Sequence, residues 1–110
     1  LYHAGMAAQA PAVHCRHAGP GGDGACGANC LGFCQMVIGT CVGANAQYGG
    51  QMANCMTACG GFATTPAYST ATTSGNSLAC RMYHGMVASS GGATATTHCP
   101  HTAVASAPCQ

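Results

Sequence analysis

Residues 26–62 read CGANCLGFCQMVIGTCVGANAQYGGQMANCMTACGGF, a segment in which cysteines and large apolar residues recur at steps of three and four. Such steps place side chains on one face of an α-helix. The pattern breaks at residues 43–46, Gly-Ala-Asn-Ala. The segment therefore predicts two amphipathic helices joined by a short turn. The predicted apolar faces contain Cys26, Cys30, Phe33, Cys34, Val37 and Cys41 on the first helix, and Tyr48, Met52, Cys55, Cys59 and Phe62 on the second.

Two cysteine pairs indicate that these helices form an antiparallel hairpin. Facing residues in such a hairpin have residue numbers with a constant sum, and the pairs Cys34–Cys55 and Cys30–Cys59 share one sum. We therefore predict both disulfides. They close loops of about thirty and about twenty residues, and each should contribute on the order of 3 kcal/mol by restricting the unfolded chain. This offsets the glycines in and beside the helices, each of which costs up to about 1 kcal/mol relative to alanine.

The paired spacing Cys30-x-x-x-Cys34 and Cys55-x-x-x-Cys59 is similar to that of plant α-hairpinins. The resemblance covers the hairpin alone, and it implies two cross-linked antiparallel helices without implying a function. Structural zinc is the alternative for clustered cysteines, but zinc sites usually have two residues between successive ligands. That spacing is absent from the sequence. Disulfides are therefore favoured over a zinc or iron–sulfur centre.

The composition indicates an exported protein. The chain of 110 residues has ten cysteines, one acidic residue, Asp23, and two basic residues, Arg16 and Arg81. An even and high cysteine count in a short chain is typical of oxidising compartments. We therefore expect an extracellular or cell-surface protein. The start at Leu1 is interpreted as the result of removing an export signal.

The scarcity of charge also restricts the partners. Two arginines cannot neutralise a phosphate backbone, so no nucleic-acid partner is expected. No apolar run approaches the ~20 residues needed to span a bilayer, so no membrane span is expected. A surface with almost no charge has little like-charge repulsion between copies, and such surfaces tend to associate.

The two ends of the chain are related to each other. Tyr2-His3 recurs as Tyr83-His84, His14-Cys15-x-His17 recurs as His98-Cys99-x-His101, and each copy ends in a further cysteine. The recurrence of so many uncommon residues in one order indicates an internal duplication. Each copy is expected to close with its own disulfide, which leaves two cysteines to pair with each other. The predicted outer disulfides are Cys15–Cys26, Cys99–Cys109 and Cys41–Cys80.

These features divide the chain into four parts within one domain, and the predicted fold class is mainly α, small and disulfide-rich. A cross-linked antiparallel hairpin is flanked by two related arms that contain cysteine, histidine and irregular loops. The parts are a first arm (1–27), the hairpin (28–62), a Ser/Thr-rich connector (63–77), and a third helix with the second arm (78–110).

The third helix is predicted to span Leu78–Ala88. Asn76 or Ser77 precedes it, and both residue types are favoured N-caps. Residues 93–110 are predicted to be irregular. The connector, residues 63–77, is rich in threonine and serine, which makes it a candidate segment for O-linked glycan.

The six histidines fall into two equivalent triplets, His3, His14, His17 and His84, His98, His101. A His-x-x-His pair with a third histidine nearby suits a three-nitrogen site for copper or zinc, and a non-covalent haem is a further alternative. The favoured interpretation is that the imidazoles hydrogen-bond loop carbonyls, since neutral histidine has one donor and one acceptor; no cofactor is then expected. No enzyme is expected either, because the chain has a single carboxylate side chain and cannot form an acid–base pair of carboxyl groups.

The sequence favours a structural function. We expect the subunit of a secreted extracellular filament or surface array, stabilised by disulfides, in which copies join head to tail through the two arms. The alternative is a secreted metal- or haem-binding module, with a role in electron transfer, that uses the two histidine triplets. A third interpretation is a small secreted toxin or inhibitor, a class in which hairpins with this cysteine spacing occur.

Overall fold

The computed structural model describes residues 6–12, 14 and 29–110. Within these residues the chain is mainly helical, without a strand, and four disulfides cross-link it. No helix among them is both long and apolar enough to cross a membrane. The α-helices are α1 (Asn29–Thr40), α2 (Met52–Cys59), α3 (Leu78–Ala88) and α4 (Gly92–His98), and 3-10 turns span Gly43–Asn45, Tyr48–Gly50 and Cys99–Thr102.

The hairpin forms as predicted, with α1 and α2 joined by the Cys30–Cys59 and Cys34–Cys55 disulfides. Cys34 and Cys55 are fully buried, as is Phe33 beside them on α1. The ring of Phe33 lies edge-on to the rings of Tyr48 and Phe62. Both hairpin disulfides are thus confirmed, and they lie at the centre of a small apolar core.

The second helix of the hairpin is shorter than its apolar pattern predicts. Tyr48 was expected on the helix, but Tyr48, Gly49 and Gly50 all have positive φ angles, of 54°, 66° and 70°. Glycine tolerates this left-handed backbone, whereas a right-handed helix requires negative φ. The chain therefore turns over Tyr48–Gly50, and α2 begins only at Met52.

The third helix has the predicted bounds. Its N-cap is Ser77, whose hydroxyl accepts a hydrogen bond from the backbone N–H of Cys80 at 3.1 Å. α3 packs closely against α1 at Gly85, where a β-carbon would lie 2.6 Å from the terminal methyl of Met36. The absence of a side chain at Gly85 lets the two helices approach each other. Arg81 and His84 on α3 are also buried, in contact with the C-terminal segment.

The outer disulfides differ from the prediction. The structure contains Cys41–Cys99 and Cys80–Cys109, so the predicted pairs Cys41–Cys80 and Cys99–Cys109 are wrong. The prediction assumed that residues 93–110 form an irregular loop that closes on itself. Most of residues 93–102 are instead helical: α4 is followed directly by the 3-10 turn Cys99–Thr102. This arrangement places Cys99 next to Cys41, which lies just beyond the end of α1. The predicted Cys15–Cys26 pair lies outside the described residues.

Arg81 is buried in the interior of this fold. It is 1% exposed and is the only residue with an arginine, lysine or carboxylate side chain in the part of the chain that the structure describes. Its carbon Cζ lies 3.9 Å from the ring centroid of Phe62, in cation–π contact. Its nitrogen atoms donate hydrogen bonds of 2.9–3.1 Å to the side-chain oxygen of Asn76 and to the backbone carbonyls of Ser77, Ala103 and Val104.

Replacing Arg81 by methionine is expected to destabilise the protein severely. The variant retains an unbranched side chain but leaves several carbonyl oxygens in or near the interior without donors, at about 1–3 kcal/mol for each buried acceptor. We expect the free energy of unfolding to fall by about 3 kcal/mol or more, measured by urea denaturation with the disulfides intact. The matched control is Gln35→Met on the exposed face of α1. Equal stability of the two variants would contradict this role of Arg81.

Candidate metal centre

The three histidines of the second triplet converge in the structure. His84 lies on α3, His98 is the last residue of α4, and His101 lies in the following 3-10 turn. The Nδ1 atom of His84 is 2.8 Å from Nδ1 of His98 and 3.3 Å from Nδ1 of His101. One nitrogen from each of the three rings lies within 4.8 Å of the other two, and this group is suited to hold a metal ion.

Local structure explains why these side chains meet. Cys99 separates His98 from His101 in the sequence, and its disulfide to Cys41 attaches this point of the chain to the end of α1. Pro100 lies at the start of the 3-10 turn, a position that requires no N–H donor. The turn brings His101 close to His98, with a ring-centroid distance of 5.4 Å. Both rings then lie against His84 on α3.

The tautomer of His84 follows from its hydrogen bonds. Its Nε2 atom is 3.1 Å from the carbonyl oxygen of Thr73. A carbonyl can only accept, so Nε2 has the proton and donates, and Nδ1 of the neutral ring keeps its lone pair. This lone pair is therefore the acceptor in the 2.8 Å hydrogen bond with Nδ1 of His98. Metal-binding histidines commonly donate their second N–H to a carbonyl in this way, which orients the ligand nitrogen.

Burial disfavours the charged forms of His84 and His101. Burial lowers the pKa of His84. The hydrogen bond to the carbonyl of Thr73 acts to raise this pKa, and repulsion from His101 and His98 lowers it further. Burial likewise lowers the pKa of His101, as does the neighbouring His98. Only a neutral imidazole has a lone pair for a metal. Competition from protons at His84 and His101 is therefore small near neutral pH.

The nitrogen spacing fits a single small ion. With zinc–nitrogen bonds of about 2.0–2.1 Å, two ligands of a tetrahedral ion lie about 3.3 Å apart. The His84–His101 spacing has this value already, and the His84–His98 spacing of 2.8 Å must widen by a few tenths of an ångström. Axial ligands of a haem lie on opposite faces of a porphyrin, which nitrogens at these distances cannot enclose. The spacing therefore favours an ion over haem.

A second group near His84 offers no further ligands. The sulfur atoms of Cys80 and Cys109 lie within 4.8 Å of a ring nitrogen of His84 and of each other. They are joined to one another in a disulfide, however, and metals bind cysteine as the thiolate. The candidate centre consists of the three imidazoles.

The first triplet has one member, His14, among the described residues. His3 and His17 lie outside the described residues. His14 is described; it is partly buried in a helical turn, where its backbone N–H donates to the carbonyl of Ala10 at 3.0 Å. A metal site at His3, His14 and His17 remains a prediction from the sequence.

Two groups that position the centre were not predicted from the sequence. The carbonyl of Thr73 orients His84, and the hydroxyl of Tyr48 donates a hydrogen bond to the carbonyl of Thr102, next to His101. Burial raises the pKa of Tyr48 to about 12, while the positive charge of Arg81 acts in the opposite direction. Tyr48 therefore remains a donor at any physiological pH. A backbone acceptor leaves no pattern in a sequence, and Tyr48 resembled an ordinary core residue.

Comparison of the chain with models of known protein families, with curated proteins and with solved structures finds no match in any of the three.

Acidification is expected to destabilise the fold through His84 and His101. Their pKa values lie below that of an unfolded histidine, so the unfolded chain takes up protons first as the pH falls. The contribution of these two histidines to the free energy of unfolding is fully present above the unfolded pKa of about 6.5. It is lost progressively as the pH falls from there towards the folded values.

This pH dependence can be measured by urea unfolding between about pH 7.5 and pH 5 with a chelator present. We expect the wild-type protein to lose stability over this range and the variant His84→Gln to lose less of its own. An equal loss in both proteins would show that protonation of His84 is not linked to unfolding.

Proposed function

We propose that this chain is a secreted metal-binding protein whose centre, His84, His98 and His101, binds one divalent transition-metal ion. The strongest support for this proposal is the position of three Nδ1 atoms: those of His98 and His101 both lie within 3.3 Å of that of His84. The hydrogen bond from Nε2 of His84 to the Thr73 carbonyl leaves the lone pair of His84 on this Nδ1 atom. The interpretation favoured from the sequence is that the imidazoles hydrogen-bond loop carbonyls. This explains the position of Nε2 of His84, which lies against the carbonyl of Thr73. It does not account for three imidazoles that face one another.

The ligand set favours zinc or Cu(II). Imidazole nitrogen suits both ions, and Cu(II) binds most tightly among the divalent metals of the first row. Cu(I) would favour sulfur ligands, but Met82, on the same helix as His84, is 3% exposed and packs in the apolar core. The three nitrogen ligands are therefore expected to act without a thioether.

Cross-linking supports a centre whose ligands are in place before the ion arrives. The Cys41–Cys99 disulfide, the Cys80–Cys109 disulfide and the hydrogen bonds of Arg81 attach the C-terminal segment to α1 and α3. Ligands held by a rigid scaffold lose little conformational entropy on binding. A small cross-linked domain of this kind suits capture or transport of metal outside the cell, where disulfides persist.

Replacing His98 by alanine is expected to remove one tightly bound ion per chain, because two imidazoles bind a divalent ion far more weakly than three. The measurement is isothermal titration with Zn²⁺ and with Cu²⁺ on metal-free protein whose disulfides are intact. The matched control is Thr97→Ala, the exposed neighbour on α4. Identical stoichiometry in the two variants, or no tight binding by the wild-type protein, would rule out this function.

A second function is favoured by a different observation. Arg81 is buried, and the described residues contain no other arginine, lysine or carboxylate side chain. The surface of the described part of the chain therefore lacks these charged groups. Like-charge repulsion between copies is correspondingly weak. Four large apolar side chains are exposed on this surface: Leu31, Val42, Met86 and Val104.

We therefore propose in addition that copies of the chain assemble head to tail into an extracellular filament or array. Several hydroxyl side chains of the connector are exposed, among them Thr64, Thr65 and Thr70. O-linked glycan at these positions would keep such an uncharged surface hydrated.

Adding charge to the exposed apolar positions is expected to reduce assembly. We expect sedimentation velocity and electron microscopy to show multimers of the native protein, and a lower multimer fraction for the double variant Val42→Lys, Val104→Lys. The control is Val42→Thr, Val104→Thr, which adds polarity without charge. A wild-type protein that remains monomeric at high concentration would contradict this second function.

A further inference from the structure

We infer that the metal-loaded centre binds a small anion, such as a carboxylate or bicarbonate, as its fourth ligand. This inference rests on the proposed function and specifies what that centre binds in addition to the ion. It follows from the number of ligands, from their charge and from the side on which the centre is exposed.

The described residues supply three ligands to an ion that prefers four. Zinc bound by three histidines keeps its fourth position for an exogenous ligand. Among the histidine, cysteine and carboxylate side chains of the described residues, the other group at His84 contains the sulfur atoms of Cys80 and Cys109, and their disulfide excludes them. We therefore expect the fourth ligand to come from solution or from another part of a protein.

The charge of the centre selects an anion over a neutral ligand. Three neutral imidazoles leave a divalent ion with its full charge of two. The one acidic side chain of the chain is Asp23, and the structure shows no aspartate or glutamate among the residues it describes. A partly buried charge without a counter-charge is costly, and a bound ion is then the largest local charge in its site. A small anion that enters the fourth position removes this cost.

The open side of the centre lies at His98 and His101. His84 is 6% exposed, whereas His98 and His101 are partly exposed. A ligand from solution therefore reaches the ion past these two rings. On its other side, His84 is held by α3 and by its hydrogen bond to the carbonyl of Thr73.

Azide is a suitable probe, because its binding to Cu(II) produces a charge-transfer absorption band that neither component has alone. The full chain with His3→Ala, His14→Ala and His17→Ala removes the first triplet, so that any signal comes from the centre. This protein is loaded with one Cu²⁺ per chain and titrated with sodium azide at constant ionic strength. Sodium perchlorate, whose anion coordinates weakly, is the control.

We expect a new band that saturates at one azide per copper, and acetate and bicarbonate should compete with azide for the position. Bound copper without any azide band would overturn the inference and leave the proposed metal binding intact. An azide band that appears only after Asp23→Asn would also overturn it, because the carboxylate would then be the fourth ligand. The same holds if copper produces dimers that exclude azide, since a second copy then fills the position. Failure to bind copper would overturn both proposals.

Discussion

The buried guanidinium of Arg81 determines how the C-terminal part of the chain can fold. A buried charge without partners costs several kcal/mol, and among the described residues no carboxylate is present to pair with it. Backbone carbonyls supply acceptors instead. Two of them belong to Ala103 and Val104, which lie more than twenty residues after Arg81 in the sequence. The segment that follows His101 must therefore lie against α3.

Disulfides act together with this guanidinium to hold the three histidines of the candidate metal centre in place. Cys99 and Cys109 attach the segment at two points, to Cys41 and Cys80, and Arg81 binds the residues between them. His84 lies one turn after Cys80 on the same helix, so the helix that anchors the segment also provides one of the three clustered imidazoles. Stability and ligand placement consequently have the same origin. In a chain with so few charged residues, cross-links and one hydrogen-bonded arginine replace surface ion pairs and a large core.

Part of this structure could be predicted from the sequence. The periodicity of cysteine predicted both hairpin disulfides, and the N-cap predicted at Asn76 or Ser77 is Ser77. The repeated histidine motif grouped the three histidines that the structure brings together. The outer disulfides could not be predicted, because Gly92–His98 contains three threonines and one glycine, which are poorer helix formers than alanine. That helix depends on tertiary contacts such as the burial of Ala95. The roles of the Thr73, Ala103 and Val104 carbonyls were equally hidden, because every residue has a carbonyl.

The most direct test of the metal centre is long-range ¹H–¹⁵N NMR of the imidazole rings before and after addition of one equivalent of Zn²⁺. The account predicts that metal-free His84 is protonated at Nε2 and remains so with zinc, while the Nδ1 resonances of His84, His98 and His101 shift together to values typical of zinc-bound nitrogen. Zinc coordinated through Nε2 of His84, or imidazole resonances that zinc leaves unchanged, would contradict it.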